Sequence, residues 1–595
     1  MTRPGNTSGR RRTAKLAAIS LAAVTSVAML ASTSTAATPA LGKDKQEHKE
    51  QKFVDLQILA LNDFHGQLEP STSSSGGQIG GVRASGAEYL ATHLDTLRAE
   101  AESRGAESVT VAAGDLIGAT PLLSAAFHDE PTIEAMNEMG LDISSVGNHE
   151  FDEGWRELVR MQEGGCIEDG DGANNQNSCP DGEFEGADFQ YLSANVFHED
   201  TGETVLPGVE IKEYDGERVG FIGMTLENTP NIVTKAGIEG LQFTDEVETA
   251  NAAAKQLKKD GVKSIVVLMH EGGFPTGGYN ECPGISGPVV DINDGLSSEI
   301  DAVITGHTHQ AYNCSLDDPD GDPRLVTSGA SIGRVVTDID LTINKRSGNI
   351  DRESAIADNV IVTQTVEKAP VITELIAKYK ELVAPIESEV IGALAAGTSS
   401  VTRTADDSGE SAAGNLIADS QKSDASLTVG GPAPEIAFMN PGGIRADLVA
   451  EDDGSVTYGA AFAMQPFNNY DVAMDLTGSQ ILALLEQQWS GVNSVVSPKI
   501  LQVSGIEYAY SASATTNRVV RDSVLVNGAP LVDTQTYRVT ANSFLSDGGD
   551  GFGVLADGTN KYFGGLDIDA LAAYLGTAAN NPYTPQPTTR IDLVP

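Results

Sequence analysis

Five apolar runs in this 595-residue chain stop at the same kind of residue, and no other feature restricts the fold as much. Phe53 to Ala60 leads into Leu61-Asn62-Asp63-Phe64-His65-Gly66. Val109 to Ala113 leads into Gly114-Asp115, and Ile143 to Val146 into Gly147-Asn148-His149-Glu150. Ile265 to Met269 stops at His270-Glu271, and Ala302 to Thr305 at Gly306-His307-Thr308-His309. Short apolar runs of this kind read as buried strands, and in α/β proteins reacting groups gather beyond the carboxyl ends of strands. A lone histidine at a strand end is usually hydrogen-bonded scaffolding. Five strand ends that all carry carboxylate, amide or imidazole donors predict one shared centre for two metal ions.

The donor types narrow the metal. Asp63, His65, Asp115, Asn148, His270, His307 and His309 mix oxygen with imidazole nitrogen, which suits Zn, Mn, Fe or Co and not an all-oxygen calcium cage. Asp169-Gly170-Asp171-Gly172 and Asp317 to Asp322 lack the ligand spacing and closing glutamate of a calcium loop, so they read as solvated turns.

Between the five runs, helix and strand patterns alternate. An amphipathic helix over 87–102 gathers Tyr89, Leu90, Leu94 and Leu97 on one side, with His93 at its boundary. Further helices are predicted at 131–139, 153–162 and 245–260, further strands at 189–196 and 219–225, and antiparallel edge strand over 324–343. The region 53–358 is therefore a layered α/β domain. Over 359–392 the pattern changes: 371–382 repeats at helical spacing, Pro385 interrupts it, and Gly392 opens a stretch rich in Ala, Thr and Ser. This segment reads as a linker with a helix. The second domain, 393–595, mixes helices at 411–423 and 478–489 with strands and Gly-rich loops.

The N-terminus reads as an export signal. Arg10, Arg11, Arg12 and Lys15 precede an apolar stretch from Leu16 to Leu30 and a small-residue cleavage site at Ser34-Thr35-Ala36-Ala37. That stretch is short of the ~20 residues a span needs, so stable membrane insertion is not expected. Residues 38–52 are polar and read as a disordered lead-in. The formal charge is −46, and cleavage removes Arg3, Arg10, Arg11, Arg12 and Lys15 but no acid, leaving about −51. Such a surface repels long nucleic acid and anionic membranes, and a small phosphate ester binds only where cations are concentrated locally. Four cysteines fit an oxidising exterior, and Cys166 with Cys179 and Cys282 with Cys314 is the favoured pairing of the three possible.

The combination Asn62-Asp63-x-His65, Gly114-Asp115, Gly147-Asn148-His149-Glu150, His270-Glu271 and Gly306-His307-x-His309 resembles the calcineurin-type metallophosphatases. Gly118-Ala119-Thr120-Pro121 and Phe151-Asp152 make it similar to the secreted 5'-nucleotidases within that group. The resemblance implies a four-layer α/β/β/α sandwich followed by a smaller α+β substrate-binding domain. It implies a first metal held by Asp63, His65, Asp115 and His309, and a second by Asp115, Asn148, His270 and His307, with Asp115 bridging. Two such ions would clamp a phosphoryl oxygen and activate water for in-line attack. His149 is then free to give a hydrogen bond or proton to the phosphate or the leaving oxygen, with Asp152 orienting its ring.

The second domain carries Gly414-Asn415-Leu416, Asn440-Pro441-Gly442-Gly443-Ile444-Arg445, Pro466-Phe467-Asn468 and Asn542 to Phe552, all similar to the C-terminal domain of the same family. By that likeness Phe467 and Phe544 sandwich the base, Asp550 accepts from ribose hydroxyls, Arg445 and Arg403 hold phosphate, and Asn440 and Gly443 line the pocket. The implied activity is release of phosphate from nucleoside 5'-monophosphates, with di- and triphosphates or UDP-sugars as further substrates. His309 also fits relatives that act on 2',3'-cyclic nucleotides, 3'-nucleotides or sulfur esters. A catalytically silent surface-binding protein is the remaining alternative. The expected location is outside the cell, free or wall-associated, and the expected motion is rotation of one domain against the other during turnover.

Overall fold

The computed structural model describes residues 52–71, 77–167 and 176–595. The predicted signal peptide and all but Lys52 of the lead-in lie outside the described residues, as does the Asp169–Gly172 cluster.

The first domain is a sandwich of two sheets. Its strands in chain order are β1 (Phe53–Leu61), β2 (Glu107–Ala113), β3 (Ile143–Ser145), β4 (Gln190–Leu192), β5 (Val209–Tyr214), β6 (Glu217–Met224), β7 (Ser264–Met269), β8 (Ala302–Thr305), β9 (Ala311–Asp317), β10 (Pro323–Gly329), β11 (Val335–Asn344), β12 (Asn349–Ile350) and β13 (Ile356–Ile361). One sheet runs β12-β11-β1-β2-β3-β4, with β13 also on β11; the other runs β9-β10-β8-β7-β6-β5. β1 to β4 are mutually parallel, as are β6, β7, β8 and β10.

The strand sequences show why they sit between layers. In β7 all six residues are buried. Val266 and Leu268 join Ile58, Val111 and Ile304 between the two sheets, while Ile265, Val267 and Met269 turn outward to meet Ala250, Ala254 and Leu257 of the helix Glu246–Lys259. A strand covered on both faces has no polar face to show, hence an unbroken apolar run. On the opposite side, helices Ala87–Arg104, Glu130–Glu138, Trp155–Glu163 and Pro370–Glu387 cover the first sheet. The result is the four-layer α/β/β/α arrangement.

Several expectations are corrected in detail. The single strand expected at 189–196 is two short ones, β4 and Val196–His198. The antiparallel edge strand expected at 324–343 is two interior strands, β10 between β9 and β8 and parallel to β8, and β11 between β12 and β1, parted by Ala330 to Arg334, where Ala330 and Ile332 have φ of 64° and 51°. β13 keeps residues 359–361 inside the first sheet, paired with β11. Pro385 does not interrupt the helix Pro370–Glu387 but lies within it, two residues before its last residue. That helix is packed rather than loose, with Tyr379 buried against Phe127 at 4.9 Å between ring centroids.

In the second domain, β14 (Ile436–Met439), β15 (Tyr470–Thr477), β16 (Gln502–Ser504), β17 (Thr536–Asn542) and β18 (Thr559–Leu566) form a sheet in the order β16-β14-β17-β15-β18. The helix Ala412–Ser423 is capped by the Ser411 hydroxyl accepting from the Gly414 N–H, and Thr477 with Gln480 forms a capping box on Gly478–Glu486. β14 and β17 are parallel neighbours, so their carboxyl ends open on one side. Both favoured disulfides form, Cys166–Cys179 and Cys282–Cys314. In the Asp317–Asp322 turn, the carboxylate of Asp318 accepts from the N–H groups of Asp320 and Asp322 and pairs with Arg352, which occupies it fully.

Candidate active site

All seven candidate ligands stand one to four residues past the ends of β1, β2, β3, β7 and β8. Five of them, Asp63, His65, Asp115, His307 and His309, hold φ between 48° and 67°, a left-handed backbone that non-glycine residues adopt only under constraint. The constraint is a lacework of main-chain bonds: Asp63 and His65 donate their N–H to the carbonyls of Gly114 and Asp115, each at 3.0 Å. The His307 N–H donates to Asp63 Oδ1 at 2.9 Å, and the His149 N–H to Asp115 Oδ1 at the same distance. Gly147 is required by this closeness, since a Cβ there would stand 2.2 Å from Asp115 Oδ1.

Two groups of donors converge. His65 Nδ1 donates to the Gly118 carbonyl at 2.9 Å, which leaves Nε2 as a bare lone pair. That atom lies 3.1 Å from His309 Nε2 and 3.7 Å from Asp115 Oδ2, while His309 Nε2 is 3.5 Å from Asp63 Oδ1. His270 Nδ1 likewise donates to the Ala113 carbonyl at 2.7 Å, turning Nε2 toward Asp115 Oδ2 at 3.0 Å and Asn148 Oδ1 at 3.1 Å. His307 Nδ1 lies 3.0 Å from the same amide oxygen. Electron-rich atoms this close, in a buried site, need positive charge between them. Asp115 is shared by both groups, so the donor set fits two cations with a bridging carboxylate.

Charges within the donor set pull its imidazoles in opposite directions. Burial alone would lower the His270 pKa, yet the charge of Asp115 and their hydrogen bond push it up to about 10. His65 and His307 go the other way, down to about 3, because burial and neighbouring cationic groups outweigh Asp115. Burial raises Asp63 to about 7.

His149 stands beside this centre, its ring centroid 5.0 Å from that of His65. Its Nδ1 is 2.7 Å from Asp152 Oδ2. Burial opposes the charged ring, but Asp152 and Asp115 together raise its pKa above the ordinary histidine value. The other face of His149 meets the second domain: Phe467 stacks on it at 6.0 Å with planes 23° apart. Arg445 lies over the same phenyl ring, 5.7 Å from its centre.

A cavity of about 290 Å³ runs from Asn148, His149, Asp152 and His307 to Asn440, Gly443, Arg445, Phe467, Phe544 and Asp550. The loop Asn228–Thr234 contributes Asn228, Ile232, Val233 and Thr234 to its wall. Asp550 accepts from Asn440 Nδ2 at 2.9 Å. Arg403 is the exception among the predicted residues. It lies beside the cavity and not in its wall, with Nη1 donating to the Ile444 carbonyl.

Sequence reasoning assigned no role to three residues that the geometry brings in. Glu150 is fully buried and takes N–H bonds from Asp115, Leu116 and Gly147 at 3.0, 2.7 and 2.6 Å, so one carboxylate ties together the loops bearing Asp115 and Asn148. Its place in Asn148-His149-Glu150 was visible, its bridging was not. Asn542 caps the turn that carries Phe544 and donates to Asn440 Oδ1 at 3.2 Å. Lys499 pairs with Asp550, and a lone lysine in a Ser/Val/Pro stretch gives no sequence signal.

The same division appears in comparisons with known proteins. Residues 56–311 match the calcineurin-like phosphoesterase family, and residues 390–557 match the 5'-nucleotidase C-terminal domain family. The chain belongs to the 5'-nucleotidase family. It is similar to the cell wall protein Lmo0130 of Listeria monocytogenes, 33% identical over 84% of this chain and 64% of that protein. It is also similar to endonuclease YhcR of Bacillus subtilis, 30% identical over 90% of this chain and 40% of that one. The chain thus spans less than two thirds of the length of both relatives. A 5'-nucleotidase precursor from Thermus thermophilus superposes with a TM-score of 0.69 at 26% identity, covering 91% of this chain and 99% of that structure.

Proposed function

We propose that this member of the 5'-nucleotidase family is a metal-dependent phosphohydrolase that releases phosphate from nucleoside 5'-monophosphates, with di- and triphosphates and UDP-sugars as further substrates. The observation that carries this reading is a single cavity whose wall holds His149, beside the ligand groups, together with an aromatic pair and Asp550.

Two divalent cations bound by the seven donors would polarise the phosphoryl oxygens and lower the pKa of water toward ~7. The chain's own residues supply the remainder. Arg445 offers a planar fork to the phosphate. His149, its Nδ1 held by Asp152, turns Nε2 toward the leaving ester oxygen and delivers a proton there. Phe467 and Phe544 exclude water from both faces of a base, and Asp550 with Asn440 receives the ribose hydroxyls. Two disulfides and the likeness to a cell wall protein support a location outside the cell, free or wall-attached. Among the described residues no helix is long and apolar enough to cross a membrane.

The test is phosphate release from 5'-AMP, 3'-AMP and 2',3'-cyclic AMP side by side, on protein whose metal content has been measured. Preference for 5'-AMP supports the reading. Preference for the cyclic or 3'-ester supports the second reading, a 2',3'-cyclic-nucleotide phosphodiesterase with 3'-nucleotidase activity. Absence of bound transition metal together with no hydrolysis of any nucleotide would leave the silent binding protein. Locking the two domains with an engineered disulfide tests rotation, which predicts loss of turnover.

A further inference from the structure

Lys499 has no part in the reading above, yet it lines the same cavity. Its ammonium pairs with Asp550 Oδ1, while Asn440 takes Asp550 Oδ2. Asn493 holds the Asp550 backbone carbonyl at 2.8 Å, and Asp550 itself is 5% exposed with φ 57°. The carboxylate is therefore held at both of its oxygens, and its backbone is held at the carbonyl. The lysine side chain is 37% exposed. An ammonium has three N–H donors, and the bond to Asp550 uses one, so two remain for whatever enters the cavity.

This changes the chemistry of the sugar end. A lone buried carboxylate accepts hydroxyl donors and repels a phosphate attached to the same ribose. A carboxylate already matched by an ammonium presents no net negative charge, and the ammonium's free N–H groups attract an anion. The other cation of the wall, Arg445, lies over the Phe467 ring that stacks on His149. One cavity thus has two cations in its wall, one over Phe467 and one on Asp550.

We propose that Lys499 forms a second anion subsite, which makes nucleoside 3',5'-bisphosphates substrates alongside 5'-monophosphates. The inference rests on the proposed 5'-nucleotide reading. In the step, a water oxygen bonds to the 5'-phosphorus, the P–O5' bond breaks, and O5' leaves with a proton. The products are inorganic phosphate and the nucleoside 3'-phosphate, whose remaining phosphate stays on Lys499.

The test measures kcat/KM for adenosine 3',5'-bisphosphate and for 5'-AMP on the full, metal-loaded chain, and takes their ratio. The wild-type ratio should be near one or above it. Lys499→Met should lower the ratio by about tenfold, the worth of one charge-assisted contact, and Lys499→Arg should restore it. Lys499→Gln, with melting temperature recorded, guards against a folding defect in the methionine variant. An equal ratio in wild type and Lys499→Met, or exclusion of the bisphosphate by wild type, overturns the proposal. Should wild type fail on 5'-AMP itself, the parent reading fails instead. The subsite is then judged by calorimetry, where adenosine 3'-phosphate must bind more tightly than adenosine, and less so in Lys499→Met; equal binding of the two overturns it.

Discussion

The two walls of the cavity are built from different materials. On the metallophosphatase side, seven donors sit at the ends of parallel strands, and main-chain bonds to neighbouring segments fix Asp63, His65, Asp115 and His270. On the C-terminal side, Asn440 and Phe544 also follow parallel strands, but Phe467, Arg445, Lys499 and Asp550 stand on turns and loops tied together by side chains. The first wall is rigid because its backbone is laced. The second owes its shape to a few polar pairs, which leaves it open to change in substrate choice without loss of fold.

If that contrast is right, damage to the first wall should abolish chemistry, and damage to the second should shift affinity. The largest effect is expected for Asp115→Ala. Loss of the shared carboxylate should lower kcat on the order of 10³-fold or more, several kcal/mol of transition-state stabilisation, and reduce bound metal from two per chain. Metal analysis by mass spectrometry beside a phosphate-release assay checks both. Next is His149→Ala, expected to lower kcat by about 10²–10⁴-fold with metal content unchanged, as fits a proton donor. Loss of metal in that variant would make His149 a ligand and redraw the first wall.

Glu150→Gln tests the lacing directly. The carboxylate accepts three N–H bonds, and a glutamine amide would turn one donor toward another. Metal affinity should fall by about 10–100-fold, as for other groups that orient ligands from behind. Titration of apo protein with Zn or Mn, followed calorimetrically, reads the change. Unaltered affinity would show that the two loops hold their positions without it.

The same contrast explains what could be read before the structure. The ligands were legible because a strand buried on both faces must be apolar to its end, so the first polar residues mark the site, as at Met269-His270 and Ala113-Gly114-Asp115. The layered α/β class followed from the same runs. The breaks within 189–196 and 324–343 were hidden because Ser193 and Ala330 to Arg334 depart from the strand through contacts made far along the chain, such as the Ile332 N–H on the Asp63 carbonyl. Lys499 and the bonding of Arg403 were hidden for a related reason. A charged residue on a loop has no periodicity, and only the tertiary fold decides whether it meets Asp550 or the Ile444 carbonyl.

On the second wall, Phe467→Ala and Phe544→Ala should each raise KM for a nucleotide by about tenfold, from loss of ~1–1.5 kcal/mol of ring contact beyond area, with a smaller change in kcat. Phe467 also stacks on His149, so its variant should show the larger kcat change of the two. Equal kcat losses would mean that the stacking does not position the histidine.

The smallest effect concerns stability, and it separates the walls once more. The buried carboxylates of the first wall have N–H or imidazole partners, whereas both oxygens of Asp471 and one of Asp567 have none among the described residues. Burial, opposed by the Ile568 N–H and the Gln465 amide, lifts the Asp567 pKa to about 8, and burial beside Asp567 raises Asp471 as well. An unfolded aspartate ionises near 4. Between about pH 4 and 8 the folded state thus keeps a proton that the unfolded chain has released, so stability falls as pH rises through this window. Asp567→Asn keeps the bond from Gln465 possible through its amide oxygen and removes the titration. Its melting temperature should decline less than that of wild type between pH 5 and pH 8.5, by about 2–4 °C for each kcal/mol of penalty removed. Parallel declines in the two proteins would show that Asp567 is ionised at little cost, and that the second domain has the same well-satisfied interior as the first.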